Sequence, residues 1–242
     1  MKGKLFGDCI VELDDRTPDM GGSFLKEYVH GNVATAYDVK LIEFVHGRLQ
    51  AIARKHPPLM IDIGASTGSF ALLAKFVEVE RVLAFEPNPP VCEVLRSNVK
   101  LNDLTHKITV YEAAVADRAG HTLKVPTNAQ YGFATLGVPV RFEEYRELAA
   151  QVATLDMVAE HTPAIKEWGR IDLIKSDANG ADILVMRGGE TAIKKYKPEI
   201  VFEYAPSASA QFATFDEIVD LLRGWGYGEP QLVGHEDWWM TC

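Results

Sequence analysis

The sequence of 242 residues predicts a doubly wound α/β domain on a mostly parallel sheet, and three observations lead there. Short apolar runs of strand length alternate with longer stretches of helical periodicity. The first run ends in a glycine-punctuated turn, Asp62-Ile-Gly64-Ala-Ser66-Thr-Gly68, and the second ends in an acid, Glu86. Strands alternating with helices imply parallel pairing through right-handed crossovers. At this length a single domain buries roughly 70–75% of the surface its unfolded chain exposes, so its core needs no covalent staple.

Residues 1–35 carry mixed signals, with Gly21-Gly22 and Gly31 breaking any long period, and read as a loosely structured arm or lid. From Ala36 to Lys55, Val39, Ile42, Phe44, Val45, Leu49 and Ile52 recur at helical spacing until His56-Pro57-Pro58 stops the helix. Residues 1–57 thus form an N-terminal arm and helix, and 58–242 the nucleotide-binding domain. Leu59–Ile63 reads as the first sheet strand, and Ser69–Val77, apolar on nearly every side, as a helix packed on it. Arg81–Glu86, Lys107–Glu112, Ile171–Asp177 and Ile200–Tyr204 read as further strands, with Pro90–Leu101 as a helix between the first two. Gly120, Pro126, Gly132, Gly137 and Pro139 punctuate 117–141, which suggests an inserted hairpin or loop over the sheet edge. Phe215–Leu222 reads as a helix, and Trp238-Trp239-Met240 ends a β-prone tail.

Composition narrows the function. Cys9, Cys92 and Cys242 lack C-x-x-C spacing, so neither a disulfide framework nor a zinc knuckle is expected, and a reducing cytoplasm fits. The first residues turn acidic at Glu12, Asp14 and Asp15 before an apolar leader develops, and no apolar run approaches the ~20 residues of a membrane span. A formal net charge of −9 argues against broad phosphate-backbone binding, which needs a basic face. Neither nucleic acid nor membrane is an expected partner.

The turn after the first strand carries the chemistry. Open α/β sheets bind ligands at the carboxyl ends of their strands, where strand order reverses. Gly64 lets the backbone turn sharply and approach a ligand with no Cβ between, and Gly68 lets the next helix start close beneath. The amides of a helix beginning there would face a ligand carboxylate, worth up to ~2 kcal/mol in a partly buried geometry. Asp62 offers the opposite charge to an amino group. Glu86 stands where such sheets hold ribose hydroxyls. Each hydrogen bond to its carboxylate is worth ~1.5–3 kcal/mol. The dinucleotide pattern G-x-G-x-x-G fails, because Ser66 and Ser69 occupy its second and third glycine positions, and no G-K-[ST] follows to make a phosphate loop.

The run fits D-x-G-x-x-x-G, and three blocks of the chain resemble the FkbM family of S-adenosylmethionine (SAM)-dependent methyltransferases. They are Asp62 to Phe70; Phe85-Glu-Pro-Asn-Pro89 with Leu95, Asn98 and Leu101-Asn102; and Thr154-Leu-Asp156 followed by Ile171 to Asp182. The resemblance spans about residues 58–204 and implies a Rossmann-like, seven-stranded class I methyltransferase sheet. It also implies SAM as donor and a hydroxyl on a sugar or natural product as acceptor. Carried over by motif, the cofactor would be held by Asp62, Gly64, Ala65, Ser66, Gly68, Phe70, Glu86, Pro87 and Asn88. Glu112, Ala113 and Ala114 would stand near the adenine, and Asp177 would complete the set. The family usually reads K-I-D-V-E-G-A-E where this chain has Lys175-Ser-Asp177-Ala-Asn179-Gly180-Ala-Asp182, so an amide replaces a possible proton acceptor. Lys175, Asp177 and Asn179, at the end of the fourth strand, are the candidate catalytic residues on the acceptor side. Lys175 has a second reading, as a structural partner of a carboxylate.

Other constellations carry less. Asp177, Asn179 and Asp182 offer oxygens to a hard cation, but the EF-hand spacing fails and no metal is expected. The histidines form no H-E-x-x-H, and no serine lies in a G-x-S-x-G elbow. Tyr131, Phe133, Trp238 and Trp239 could wall an acceptor pocket or simply pack, and His30 or His235 could serve as a base or lie at the surface. Two alternatives stay open: a nicotinamide-dependent oxidoreductase or epimerase, suggested by sheet type alone, and a noncatalytic SAM-binding protein, suggested by Asn179 and Asp182.

Overall fold

A computed structural model of the chain describes residues 2–17, 39–121, 123–126, 145–148 and 151–242. The chain begins with an antiparallel hairpin, β1 (Lys2–Phe6) and β2 (Cys9–Glu12). A loosely structured arm does not describe residues 2–17. Leu5, Val11 and Leu13 are buried, and the backbone of Glu12 and Asp14 is bonded by the side chains of Asn102 and Asn98. The remainder of the expected arm, 18–38, lies outside the described residues.

Helix α1 (Val39–Ala53) buries Leu41, Ile42, Val45 and Leu49, a stripe at helical spacing. The sheet follows with β3 (Leu59–Ile63), β4 (Arg81–Phe85), α2 (Pro89–Leu101) and β5 (Ile108–Tyr111). Between β3 and β4 the expected helix is a short 3₁₀ segment, Ala71–Lys75. Phe70 at its start gives no side-chain cap, and its turns close on i→i+3 bonds such as Leu73 N–H to the Phe70 carbonyl at 3.0 Å. The helix dipole expected at the glycine turn is therefore not built.

Short strands β6 (Ala113–Val115), β7 (Leu123–Pro126), β8 (Tyr145–Leu148) and β9 (Gln151–Ala153) come next. β7 and β8 pair antiparallel; β7 falls within the expected 117–141 insertion and β8 lies beyond it, while 127–144 between them lies outside the described residues. Then come α3 (Leu155–His161), α4 (Pro163–Trp168), β10 (Leu173–Ser176), α5 (Asp182–Arg187), α6 (Glu190–Tyr196) and β11 (Glu199–Glu203). The Thr154-Leu-Asp156 motif proves structural. Thr154 caps α3 by accepting from the Met157 amide, and Asp156 accepts from the Ala192 amide at 2.8 Å in the first turn of α6. The chain closes with α7 (Pro206–Ser209), α8 (Phe215–Gly224), β12 (Gln231–Leu232) and β13 (Asp237–Met240).

The main sheet has seven strands in the order β12-β13-β11-β10-β3-β4-β5. Pairs from β11 to β5 are parallel, and β13 runs antiparallel beside β11. Side-chain alternation divides β3 between two cores: Leu59, Ile61 and Ile63 face α3–α6 and α8, whereas Met60 faces α1, α2 and the N-terminal hairpin. Order reverses at β3, which has β4 on one side and β10 on the other, so the switch point opens at the carboxyl ends of these strands. Among the described residues no helix is long and apolar enough to cross a membrane.

Candidate active site

A cleft opens at this switch point, lined by Ile63, Gly64, Phe85, Glu86, Pro87, Ala113, Ala114, Val115, Leu123, Asp177, Ala178 and Asn179. The lining is mostly apolar, with two acids, Glu86 and Asp177, and one amide, Asn179.

The turn after β3 is fixed by its own backbone. Gly64 and Ala65 both donate amide hydrogens to the Phe85 carbonyl, at 3.0 and 2.9 Å, and Gly64 has φ +71°. A Cβ on Gly64 would sit 1.9 Å from the Asp177 carbonyl oxygen. The glycine is required because β3 and β10 end against each other, so its neighbour is protein backbone rather than a ligand. Gly68, at φ +106°, packs toward α2, where a Cβ would meet the Leu95 Cδ1 at 2.8 Å. Ser66, between them, takes a left-handed φ of +49°.

Glu86 is buried, and its two oxygens accept the amides of Ser66 and Asn88, each at 2.9 Å. Burial pushes its carboxyl up to about 7 against these two bonds, which favour the charged form. Each oxygen keeps a lone pair for a further donor. Asp62 is fully buried on the other side of the turn, and neither of its oxygens has a hydrogen-bond partner among the described residues. Burial raises it to about 6, with the Lys175 ammonium 3.8 Å away opposing the rise. Lys175 is itself 2% exposed. Its Nζ lies 3.4 Å from both the Gly64 carbonyl and Asp177 Oδ2, and 4.6 Å from the centre of the Phe70 ring.

The acceptor-side loop is supported from below. Fully buried Asp182 accepts from the Ser176 hydroxyl at 2.5 Å and the Ala178 amide at 3.3 Å, and burial pushes it up to about 7. Asn179 and Gly180 follow in left-handed conformations, φ +50° and +90°. Asparagine adopts that conformation more readily than glutamate, which gives the amide at 179 a backbone reason. Glu203, at the end of β11, is held well above the carboxylate range by burial and by Asp177, Asp182 and Asp237. Acids shifted upward by burial lie in and around this one cleft, a pattern common to ligand-binding and catalytic sites.

Of the residues read from sequence, Gly64, Glu86, Pro87, Ala113, Ala114, Asp177 and Asn179 line the cleft. Asp62, Phe70 and Lys175 are buried and absent from the lining, with the Lys175 ammonium between the carboxylates of Asp62 and Asp177. Ala65, Ser66, Gly68 and Asn88 shape the turn and the start of α2 around Glu86. Glu112 turns away to pair with Arg96 at 2.9 Å. Ile63, Phe85, Val115, Leu123 and Ala178 were not anticipated. Apolar residues at strand ends look like core in a sequence, and only Leu123 carried a signal, its place in the inserted hairpin. Trp238 packs 4.4 Å from Phe215, and Trp239 sits against Phe44 with its ring N–H on Glu199, so both belong to packing rather than to the cleft. His235 is exposed in the β12–β13 turn. His30, Tyr131 and Phe133 lie outside the described residues.

A family model described as the methyltransferase FkbM domain matches residues 62–228. The 2-O-methyltransferase NoeI of Sinorhizobium fredii is 26% identical over 184 residues, 71% of this chain and 72% of that protein. The methyltransferase sdnD of Sordaria araneosa is 28% identical over 155 residues, 54% of this chain and 60% of that one. Among solved structures, a methyltransferase FkbM from Methylobacillus flagellatus superposes with TM-score 0.53 at 16% identity, covering 95% of this chain and 62% of that chain, and so shares the fold. These relatives are methyltransferases, which favours that reading over the nicotinamide alternative.

Proposed function

The chain belongs to the FkbM methyltransferase family, and from that premise we propose that it transfers a methyl group from SAM to a hydroxyl oxygen of a small acceptor, a sugar or natural product. The observation that carries the reading is Glu86, whose pinned carboxylate retains lone pairs in the lining of a mostly apolar cleft. That combination suits a ribose diol with an adenine beside it, between Phe85, Ala113, Val115 and Leu123. Asp62, fully buried with no hydrogen-bond partner among the described residues, suits the amino group of the methionine moiety. The 2-O-methyltransferase among the relatives supports oxygen as the acceptor atom.

The bound cofactor would supply a methyl group activated on a sulfonium centre. The protein's own contribution is chiefly positional, because holding reactants in near-attack geometry is worth ~7–11 kcal/mol, whereas a general base adds 10²–10⁴-fold. Glu86 and the turn at Gly64 orient the donor. Lys175 holds Asp62 and Asp177 at fixed separation from below. Asp177, at 40% side-chain exposure, is the carboxylate that takes the acceptor's hydroxyl proton, and Asn179 orients the acceptor without accepting a proton. Titration with S-adenosylhomocysteine tests the donor half: micromolar affinity and a raised melting temperature are expected, since a ligand that binds only the folded state stabilises it. No shift at millimolar ligand would sink the reading.

A further inference from the structure

Asn98 belongs to a motif with no role in the cleft, yet it is a junction between three parts of the chain. It projects from α2 and is fully buried. Its Nδ2 donates to the Thr67 carbonyl at 2.9 Å, inside the turn that runs from Gly64 to Gly68. Its Oδ1 accepts the Asp14 amide at 2.7 Å, and its amide also meets the buried Thr17 hydroxyl at 3.1 Å. The turn is thereby held from two sides. Glu86 grips it at the Ser66 amide and Asn98 at the Thr67 carbonyl.

One turn along α2, Asn102 holds the same N-terminal segment without touching the turn. Its Oδ1 accepts the Glu12 amide at 3.0 Å and its Nδ2 donates to the Glu12 carbonyl at 2.6 Å. The segment from Glu12 to Thr17 is therefore a strap across α2, with one anchor that reaches the cofactor turn and one that does not.

We propose that Asn98 is a positioning residue for methyl transfer, acting through Thr67 to hold the turn in its binding shape and coupling that shape to the docking of the 12–17 strap. The inference rests on the reading that the Gly64–Gly68 turn holds the donor. A buried amide that satisfies both the turn and the strap ties their order together, and coupling of this kind is reciprocal: ligand on the turn tightens the strap, and a docked strap tightens the ligand.

Hydrogen exchange on the full chain, with and without S-adenosylhomocysteine, reads the coupling at a distance from the ligand. Added ligand is expected to slow exchange of the Asp14 amide in the unaltered chain, and not in Asn98→Ala. In parallel, Asn98→Ala is expected to weaken ligand affinity three- to tenfold, the size of one lost hydrogen bond. It should raise KM for SAM with kcat little changed. Asn102→Ala, which removes the other anchor, is expected to stay within twofold of the unaltered affinity. Equal affinity losses in the two variants would overturn the inference, because loosening the strap alone would then suffice. Ligand that binds the unaltered chain without protecting Asp14 would overturn it too. No binding to the unaltered chain at all would remove the cofactor reading and this inference with it.

Discussion

At the amino ends of the strands, acids meet cations. Glu199 accepts two Arg48 nitrogens at 2.7 and 2.5 Å and the Trp239 ring N–H at 3.0 Å. Asp172 accepts the Leu59 amide at 2.7 Å and Arg170 at 3.2 Å. At the carboxyl ends, Asp62, Glu86 and Asp182 are fully or nearly fully buried, and their partners are backbone amides, a serine hydroxyl and one shared ammonium. The same sheet thus pairs its charges where nothing needs to bind and leaves them under-compensated where the cleft opens. Desolvation raises the acids at one end toward neutrality, and a ligand that brings donors and positive charge would return them to the ionised form.

The largest expected effect breaks the floor of the cleft. Gly64→Ala drives a Cβ to within 1.9 Å of a backbone carbonyl at a φ of +71°, and neither partner can rotate away. Left-handed strain alone costs ~1–2 kcal/mol, and separating β3 from β10 adds to it. A melting temperature lower by roughly 10 °C and no measurable S-adenosylhomocysteine binding are expected, by calorimetry with circular dichroism as the folding control. A normal Tm would mean the two strand ends do not meet as described.

Next comes a pair of substitutions that sets one end of the sheet against the other. Glu86→Ala is expected to weaken ligand binding by ~1–3 kcal/mol through loss of its hydrogen bonds while the fold persists. Glu199→Ala is expected to lower stability by ~1–2 kcal/mol with affinity unchanged, since it breaks a forked arginine pair and a tryptophan bond far from the cleft. If both variants change affinity alike, the division of roles between the two ends fails.

The pH response has a definite sign. Asp62 is raised to about 6 and Glu86 and Asp182 to about 7, so between about pH 4 and 7 the folded chain binds more protons than the unfolded one. The contribution of these three acids to stability without ligand is therefore greatest at the acid side of that window and falls as pH rises through 6 and 7. Half-buried His46, held below its ordinary value by burial, opposes it. Ligand affinity should move the opposite way, because ribose hydroxyls and an amino group favour the charged acids. A melting temperature that rises from pH 6 to 8, measured without ligand, would contradict the burial of these groups.

How much of this could be read from the sequence follows from which forces act locally. The strands showed as apolar runs, and Glu86 and the Gly64 turn as motifs, because strand period and glycine placement are properties of neighbouring residues. The 3₁₀ segment did not show: Ser69–Val77 has helical composition, and only the missing cap and the nearby start of β4 shorten it. The N-terminal hairpin was hidden for a related reason, since its order comes from Asn98 and Asn102, more than eighty positions away. Gly64 itself was found for an incomplete reason. The sequence suggested room for a ligand, whereas the contact that forbids a side chain is with Asp177, on a strand no local pattern could bring alongside.

The smallest expected effect sharpens that last point. Gly120 also has a positive φ, +85°, but among the described residues no atom beyond its chain neighbours lies within 4 Å of the Cβ that alanine would add. Gly120→Ala therefore carries backbone strain alone, ~1 kcal/mol, or roughly 2–4 °C in Tm for a domain of this size. Gly68→Ala should fall between it and Gly64→Ala, because the obstructing atom is the end of the Leu95 side chain, which can rotate where a carbonyl cannot. Calorimetric titration of the three alanine variants should rank their affinities in that order, with Gly120→Ala indistinguishable from the unaltered chain. If Gly120→Ala loses affinity as Gly64→Ala does, left-handed strain anywhere in the fold is enough to disable binding, and the close approach of β3 to β10 is not what forms the site.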